Sequence, residues 1–390
     1  MPALPQLPPA QRARVEQAIT RARDAVSMHQ HWLERELLPN ANGDFRIGRE
    51  LFDQKLGFAL MSPLSRAEIR GRAEAEVLAT RARMYELARA VLAGREGAPP
   101  APANPTPAQQ QAAIEAALEL ASAERPARDG VVELARETLR ETTEFVRRDG
   151  FVTLRDEPLE IILMPEFQRG VAIAYCDSPG PLDKGQRTFF AVSPLPDDWT
   201  AEQVDSFLRE YNTRSIANLT IHEAMPGHYV QIAHSNRYPS VLRAMLGSGP
   251  FIEGWAVYTE RVMQDRGFRA GDPLMRLVQL KWYLRSITNA IIDSAIHVDG
   301  MTREEAMRLM TETGFQEERE AAGKWVRAQL SSTQLSTYFV GYQEHADMRA
   351  EAERRAGAGF DLRRYHDGVL AFGSPPVRFV RELLFDEPIR

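Results

Sequence analysis

The chain of 390 residues has one cysteine, Cys176, so it cannot form an internal disulfide. That scarcity fits a reducing compartment. No run of about 18 apolar residues is present, which removes the basis for a membrane-spanning helix. The opening Met1-Pro2-Ala3-Leu4-Pro5 lacks the basic and apolar regions of a secretion signal. Together these absences predict a cytoplasmic protein. No basic stretch is interleaved with aromatics, and the net charge is -6, so nucleic acid is excluded as a partner. Histidine is scarce too, with 8 in the chain. What remains is an ordinary globular composition, 44% hydrophobic and 26% charged.

Two of those histidines fall close together, with two glutamates near them in sequence. His222-Glu223-Ala224-Met225-Pro226-Gly227-His228 is followed, 25 residues on, by Glu253 in Phe251-Ile252-Glu253-Gly254-Trp255. Two histidines and a glutamate can hold one zinc ion, and a glutamate beside the first histidine can serve as general base. The common His-Glu-x-x-His motif sets its histidines at i and i+4 on one helix face. Here they stand at i and i+6, roughly 240° apart on a regular helix. Both can face one metal only if the helix breaks or widens between them. Pro226 cannot donate to the carbonyl of His222, and Gly227 tolerates unusual dihedrals. Glu253 sits among Phe251, Ile252, Trp255, Ala256 and Tyr258, so a buried carboxylate there needs a partner. Glu260, two turns further along, can accept from a ligand histidine. The alternatives are a structural histidine pair and a surface salt bridge for Glu223. Zinc is the expected ion; two histidines and one carboxylate also suit iron or manganese.

Hydrophobic spacing predicts a mainly α protein. Helices are expected over 10–38, 47–60, 64–93, 107–124 and 128–148. Strands are expected at 159–164, 171–175 and 188–192, forming a small antiparallel β-sheet within 151–196, before the metal-binding helix. Further helices follow over 200–211, 213–236, 239–246, 250–267, 273–298, 302–313, 316–329, 334–355 and 361–370. Gly97-Ala98-Pro99-Pro100-Ala101-Pro102 marks a connector at 96–107. The organisation read from this is an N-terminal helical region, 1–95, and a helical catalytic region, 108–390.

The stretch 222–253 resembles the gluzincin metallopeptidases, in which a His-Glu helix is followed by a glutamate ligand on the next helix. Gly227-His228-Tyr229-Val230-Gln231 and the distance to Glu253 are similar to the angiotensin-converting enzyme and thermostable carboxypeptidase groups. A closer similarity is to the bacterial family described as domain of unknown function 885. It is carried by Phe45-Arg46-Ile47-Gly48, by the motif from His222 to His228, and by Glu253-Gly254-Trp255-Ala256-x-Tyr258. Arg285 to His297 and Tyr365-His366-Asp367 with Leu370 and Gly373 also fit. The likeness runs from about residue 40 to the end. Members are often longer, which implies that part of the cleft wall comes from an N-terminal portion this chain lacks. The resemblance implies a large helical metallopeptidase-like fold.

Further site residues follow. Arg285, Asn289, Asp293 and His297 recur every four residues on one helix face. They form either a buried polar ladder or, as the resemblance implies, a cleft face on which His297 supports an oxyanion. The resemblance also implies a tyrosine donor on the helix opening near residue 334, with Tyr338 first and Tyr342 second. Arg349 and His366 are candidates for binding substrate, or else surface and helix-start residues. An edge strand at 188–193 can hold an extended peptide.

The function expected is metal-dependent hydrolysis of amide bonds in peptides or small amino-acid conjugates, with Glu223 as base. The same site could run lyase or rearrangement chemistry on a metabolite. A helical binding protein with a structural metal is the non-enzymatic alternative.

Overall fold

A computed structural model describes residues 4–389 except 156, 170–172, 181 and 184. The chain divides into two compact units, Met1–Phe45 and Arg46–Arg390. The first is helical: α1 (Pro9–Trp32) runs through a wide turn at Leu33–Leu37 into α2 (Leu38–Asn40).

The second unit begins with α3 (Gly48–Leu60), α4 (Arg66–Leu92), α5 (Pro107–Ser122) and α6 (Val131–Asp149). The strands β1 (Leu159–Leu163), β2 (Ala174–Asp177) and β3 (Thr188–Val192) follow. Then come α7 (Ala201–Glu210), α8 (Thr213–Glu223), α9 (His228–Ser235), α10 (Val241–Met245), α11 (Gly249–Asp265) and α12 (Pro273–Val298). The last are α13 (Arg303–Arg308), α14 (Glu318–Leu330), α15 (Ser336–Ala356), α16 (Leu362–Leu370) and α17 (Val377–Leu384). The protein is mainly helical, as its periodicity predicts. Sequence signals set many starts. Ser65 with Glu68, Thr106 with Gln109 and Thr200 with Gln203 form reciprocal capping boxes at α4, α5 and α7.

Helix α12 is buried along almost its whole length, from Met275 to His297. A helix buried on all sides belongs in the middle of a fold, and α3, α4, α5, α8 and α15 pack around it. The connector 96–107 lies within this unit, and α4 and α5 at its two ends both pack on α12.

The sheet corrects two expectations. Its order is β1-β3-β2; β1 pairs with β3 in parallel, Leu159 opposite Thr188, and β2 pairs antiparallel, Ala174 opposite Val192. It is mixed rather than antiparallel, because the segment between β1 and β3 is long enough for the crossover that a parallel pair requires. Strand β3 is central, so its backbone groups are used on both sides. The proposed peptide-binding edge at 188–193 is therefore not an edge. Strand β2 is an outer strand, and it lies against α8. Val171 and Ala172 of the expected second strand fall outside the described residues.

Helices α11 and α15 cross at two glycines. A Cβ on Gly254 would lie 2.5 Å from Gly341 Cα, and one on Gly341 would lie 2.8 Å from Gly254 Cα. Carbon atoms keep about 3.5–4.0 Å, so only glycine at both positions allows this approach. It sets Glu253 of α11 near the start of α15.

Candidate metal centre

Asn212 begins α8 by accepting from the backbone N–H groups of Arg214 and Ser215. The helix runs to Glu223, so His222 occupies its last turn. The chain then folds back on itself. Met225 N donates to Thr220 O at 3.1 Å and Gly227 N to Ile221 O at 2.9 Å. A side chain on Gly227 would collide with the carbonyl of His222, which is why the position is glycine. The Met225–Pro226 peptide is cis, and Trp255 Nε1 donates to Pro226 O at 3.0 Å. Helix α9 starts at His228. The expected continuous helix over 213–236 is thus two helices. The break expected at Pro226-Gly227 is what brings the two histidines together.

Their rings stand 4.7 Å apart and nearly perpendicular. Glu253 Oε2 lies 3.5 Å from His222 Nε2 and 3.4 Å from His228 Nε2. One donor atom from each of the three residues falls within 4.8 Å of the others. Donors at about 2.0–2.1 Å from a tetrahedral centre are separated by about 3.4 Å. The two contacts made by Glu253 have that length. They are long for hydrogen bonds, and the buried oxygen has no other partner among the described residues. The donor set therefore fits a divalent cation.

Glu260 supports the set. Its Oε1 is 2.8 Å from His222 Nδ1, and its Oε2 accepts from Asn218 Nδ2 at 2.8 Å. This leaves His222 Nε2 directed at Glu253. Burial opposes charge on His222, yet Glu253 and Glu260 outweigh it and hold the ring up at about 10. Burial likewise opposes charge on Glu253, and His222 and His228 overcome it, holding its carboxyl far below the usual range. Glu223 behaves differently. Burial raises its pKa, while His228 and His222 offset part of that rise.

These groups open into a cleft of about 1140 Å³ that includes His222, Glu223, His228, Glu253, Glu260 and Tyr338. The outer strand β2 contributes Tyr175 and Cys176 to the same cleft. Tyr338 stacks near His222, with ring centroids 6.4 Å apart. Its hydroxyl accepts from Arg327 Nη2 at 3.1 Å and Gln334 Nε2 at 3.3 Å. A phenol has one proton to give, and with both neighbours donating, that proton is free to point into the cleft.

Four other expected residues are not in the cleft. His297 Nε2 donates to Ala328 O and Ser331 O at 2.9 and 2.8 Å, and its ring stacks on Phe52, so it fixes the end of α14. Tyr342 is buried against Tyr283, and its hydroxyl accepts from Arg261. Arg349 is bound to Glu353 at 2.8 Å. His366 is wholly buried between Phe151 O and the Tyr258 hydroxyl. Asp293 also leaves the site: it accepts from Thr333 N, Ser336 N and Ser336 Oγ and so starts α15. Arg285 and Asn289 do line the cleft. Sequence reasoning missed Lys324 and Arg327 there, and it missed Gln334, which donates to Tyr338. Only the i, i+3 spacing of Lys324 and Arg327 hinted at a shared face.

Fold and site together define a mainly helical protein with a His-His-Glu cluster at the floor of a cleft. The model of the family described as "Bacterial protein of unknown function (DUF885)" matches residues 2–384, and the chain belongs to that family. No curated protein matches it. Solved structures similar to it include two of bacterial origin. One is a candidate lipoprotein of unknown function from Shewanella oneidensis, with 36% identity and a TM-score of 0.79; the match covers 97% of this chain and 68% of that one. The other is a candidate lipoprotein from Colwellia psychrerythraea, with 23% identity and a TM-score of 0.79, covering 98% of this chain and 64% of that one; it shows the fold alone. The chain spans about two thirds of each.

The likeness to the Shewanella oneidensis protein overturns the cytoplasmic expectation, because lipoproteins are anchored to membranes. A single cysteine excludes an internal disulfide but does not report a compartment. Among the described residues, no helix is long and apolar enough to cross a membrane.

Proposed function

We propose that the chain is a metal-dependent hydrolase of amide bonds in peptides or small amino-acid conjugates. The observation that carries this is the buried Glu253 oxygen, held at tetrahedral-edge distance from both histidine nitrogens with no other partner among the described residues. His222, His228 and Glu253 would hold the ion, zinc in the first place. When bound, a divalent ion polarises the scissile carbonyl and lowers the pKa of the attacking water.

Glu223, beside the three ligands, takes the proton from that water and returns it to the leaving amine. Tyr338 donates a hydrogen bond to the carbonyl oxygen as charge builds there. An extended peptide pairs with the outer strand β2, whose Tyr175 and Cys176 line the cleft. The order of a His-Glu helix followed by a glutamate-bearing helix is that of the gluzincin metallopeptidases, and it supports the same chemistry.

Glu223→Gln tests the assignment. The amide nearly matches the carboxylate in shape but cannot carry a proton. Metal content should hold while turnover falls about 10²- to 10⁴-fold. Turnover within a few-fold of the parent would remove Glu223 as base. Product masses separate hydrolysis, which adds the elements of water, from a lyase or rearrangement.

A further inference from the structure

Next to Tyr338 the cleft wall is cationic. Arg285 comes from α12, and Lys324 and Arg327 come from α14. The neighbouring carboxylates are already engaged. Glu210 accepts from Lys281 Nζ at 2.8 Å and from the backbone N–H of Glu317 at 2.9 Å. Glu320 is paired with Arg285 and accepts from the Tyr211 hydroxyl at 3.0 Å. Lys324 is 4% exposed. Its ammonium lies 3.9 Å from Glu320 Oε1 and makes no hydrogen bond among the described residues. Four cations, Lys281, Arg285, Lys324 and Arg327, thus meet two carboxylates, Glu210 and Glu320. A buried cation without a close partner is costly. Burial, with Arg285 and Arg327 nearby, accordingly pushes the Lys324 ammonium well below the lysine range.

We propose that this wall is a carboxylate subsite, in which Lys324 and Arg327, beside Arg285, bind a free carboxylate of the substrate within one or two residues of the scissile amide. The spacing follows from Arg327. Its Nη2 is 3.1 Å from the Tyr338 hydroxyl, the donor proposed for the scissile carbonyl, and one extended residue spans about 3.3–3.6 Å. The carboxylate is either the α-carboxylate of a C-terminal residue or an acidic side chain. Placing it relative to the cut bond rests on the hydrolase assignment; its binding does not.

The test is calorimetric binding to the full chain after chelator treatment, so that no ion can capture a carboxylate. The probes are N-acetyl-alanyl-alanine, its C-terminal amide, and the amides of N-acetyl-alanyl-glutamate and N-acetyl-alanyl-glutamine. A charge-assisted hydrogen bond corresponds to about 10- to 100-fold in affinity. The free acid binding at least about tenfold tighter than its amide supports an α-carboxylate source. The glutamate probe exceeding the glutamine probe by the same margin supports a side-chain source. Equal binding of all four overturns the subsite. Lys324→Met should erase the preference; a preference that survives in both Lys324→Met and Arg327→Gln places the carboxylate elsewhere and overturns it. If Lys324→Met fails to fold, Arg327→Gln carries the comparison. Carboxylate preference without cleavage by the metal-loaded protein upholds the subsite and refutes the hydrolase. Cleavage of acid and amide alike, with equal binding, does the reverse.

Discussion

His366 makes the protein's stability depend on acid in a calculable way. It is fully buried, with Trp255 and Phe151 against its ring. Its Nδ1 lies 2.8 Å from Phe151 O, and a carbonyl can only accept, so Nδ1 carries the proton. Its Nε2 lies 2.8 Å from the Tyr258 hydroxyl and therefore accepts. The Arg349 guanidinium lies near the Tyr258 hydroxyl. A second proton on the ring would meet a hydroxyl already arranged to donate. Burial, with Arg349 nearby, pushes the imidazole down to about 3 from the ordinary 6.5. The folded value lies below the unfolded one, so the unfolded chain binds the extra proton. The stabilisation is complete above 6.5 and is lost progressively as pH falls towards about 3. Going from pH 7.5 to pH 5 removes about 2 kcal/mol through this residue. His366→Gln can still donate to Phe151 and accept from Tyr258 but does not titrate. Urea unfolding followed by tryptophan fluorescence, at both pH values, should show the parent losing about 2 kcal/mol more than the variant. Equal losses in the two proteins would refute the locked neutral tautomer.

The other expectations concern the site. His222→Ala and His228→Ala should each lose the divalent ion, measured by elemental analysis of the purified protein, and full occupancy in both would sink the ligand assignment. Tyr338→Phe should lower kcat by about 10² or more with a smaller change in KM; near-normal kcat with reduced thermal stability would make the tyrosine structural. Gly341→Ala places a Cβ 2.8 Å from Gly254 Cα, so it should cost about 1–3 kcal/mol or more in thermal unfolding, and an unchanged Tm would mean the helices part freely.

The His-His-Glu cluster was legible because a helix breaker stood between two histidines that a regular helix would separate. Glu260 was legible from its place two turns beyond Glu253, and it holds His222 Nδ1. The four-residue ladder on α12 shows where such reading stops. At 3.6 residues per turn, each step of four drifts by about 40°, so Arg285 and His297 point about 120° apart. The same row of side chains that enters the cleft at Arg285 and Asn289 turns at Asp293 towards the start of α15, and at His297 towards the end of α14. Tyr338 and Tyr342 are separated by one such step and a rise of about 6 Å, which takes Tyr342 out of the cleft and onto Tyr283. The sheet misled for another reason. Alternation marks a strand but not its neighbours, and β3 became central only through a parallel partner that no local pattern announces.

Asp293 left the cleft, but it still bears on where Tyr338 stands in it. Its carboxylate receives Thr333 N at 2.8 Å, Ser336 N at 2.9 Å and Ser336 Oγ at 2.7 Å. Those groups are the first turn of the helix that carries Tyr338, so the cap fixes where that helix begins. The Gly254–Gly341 contact fixes how closely the same helix approaches α11 and Glu253. Between them, a buried carboxylate sets the height of the tyrosine and two missing side chains set its distance. Neither device has a sequence signature of catalysis. An aspartate in a buried ladder and two glycines 87 residues apart read as packing, and packing is what they do. Yet in the role proposed for Tyr338, a donor that must meet developing charge tolerates errors of only about half an ångström. In this fold that tolerance is met by helix-to-helix contact rather than by the metal motif itself.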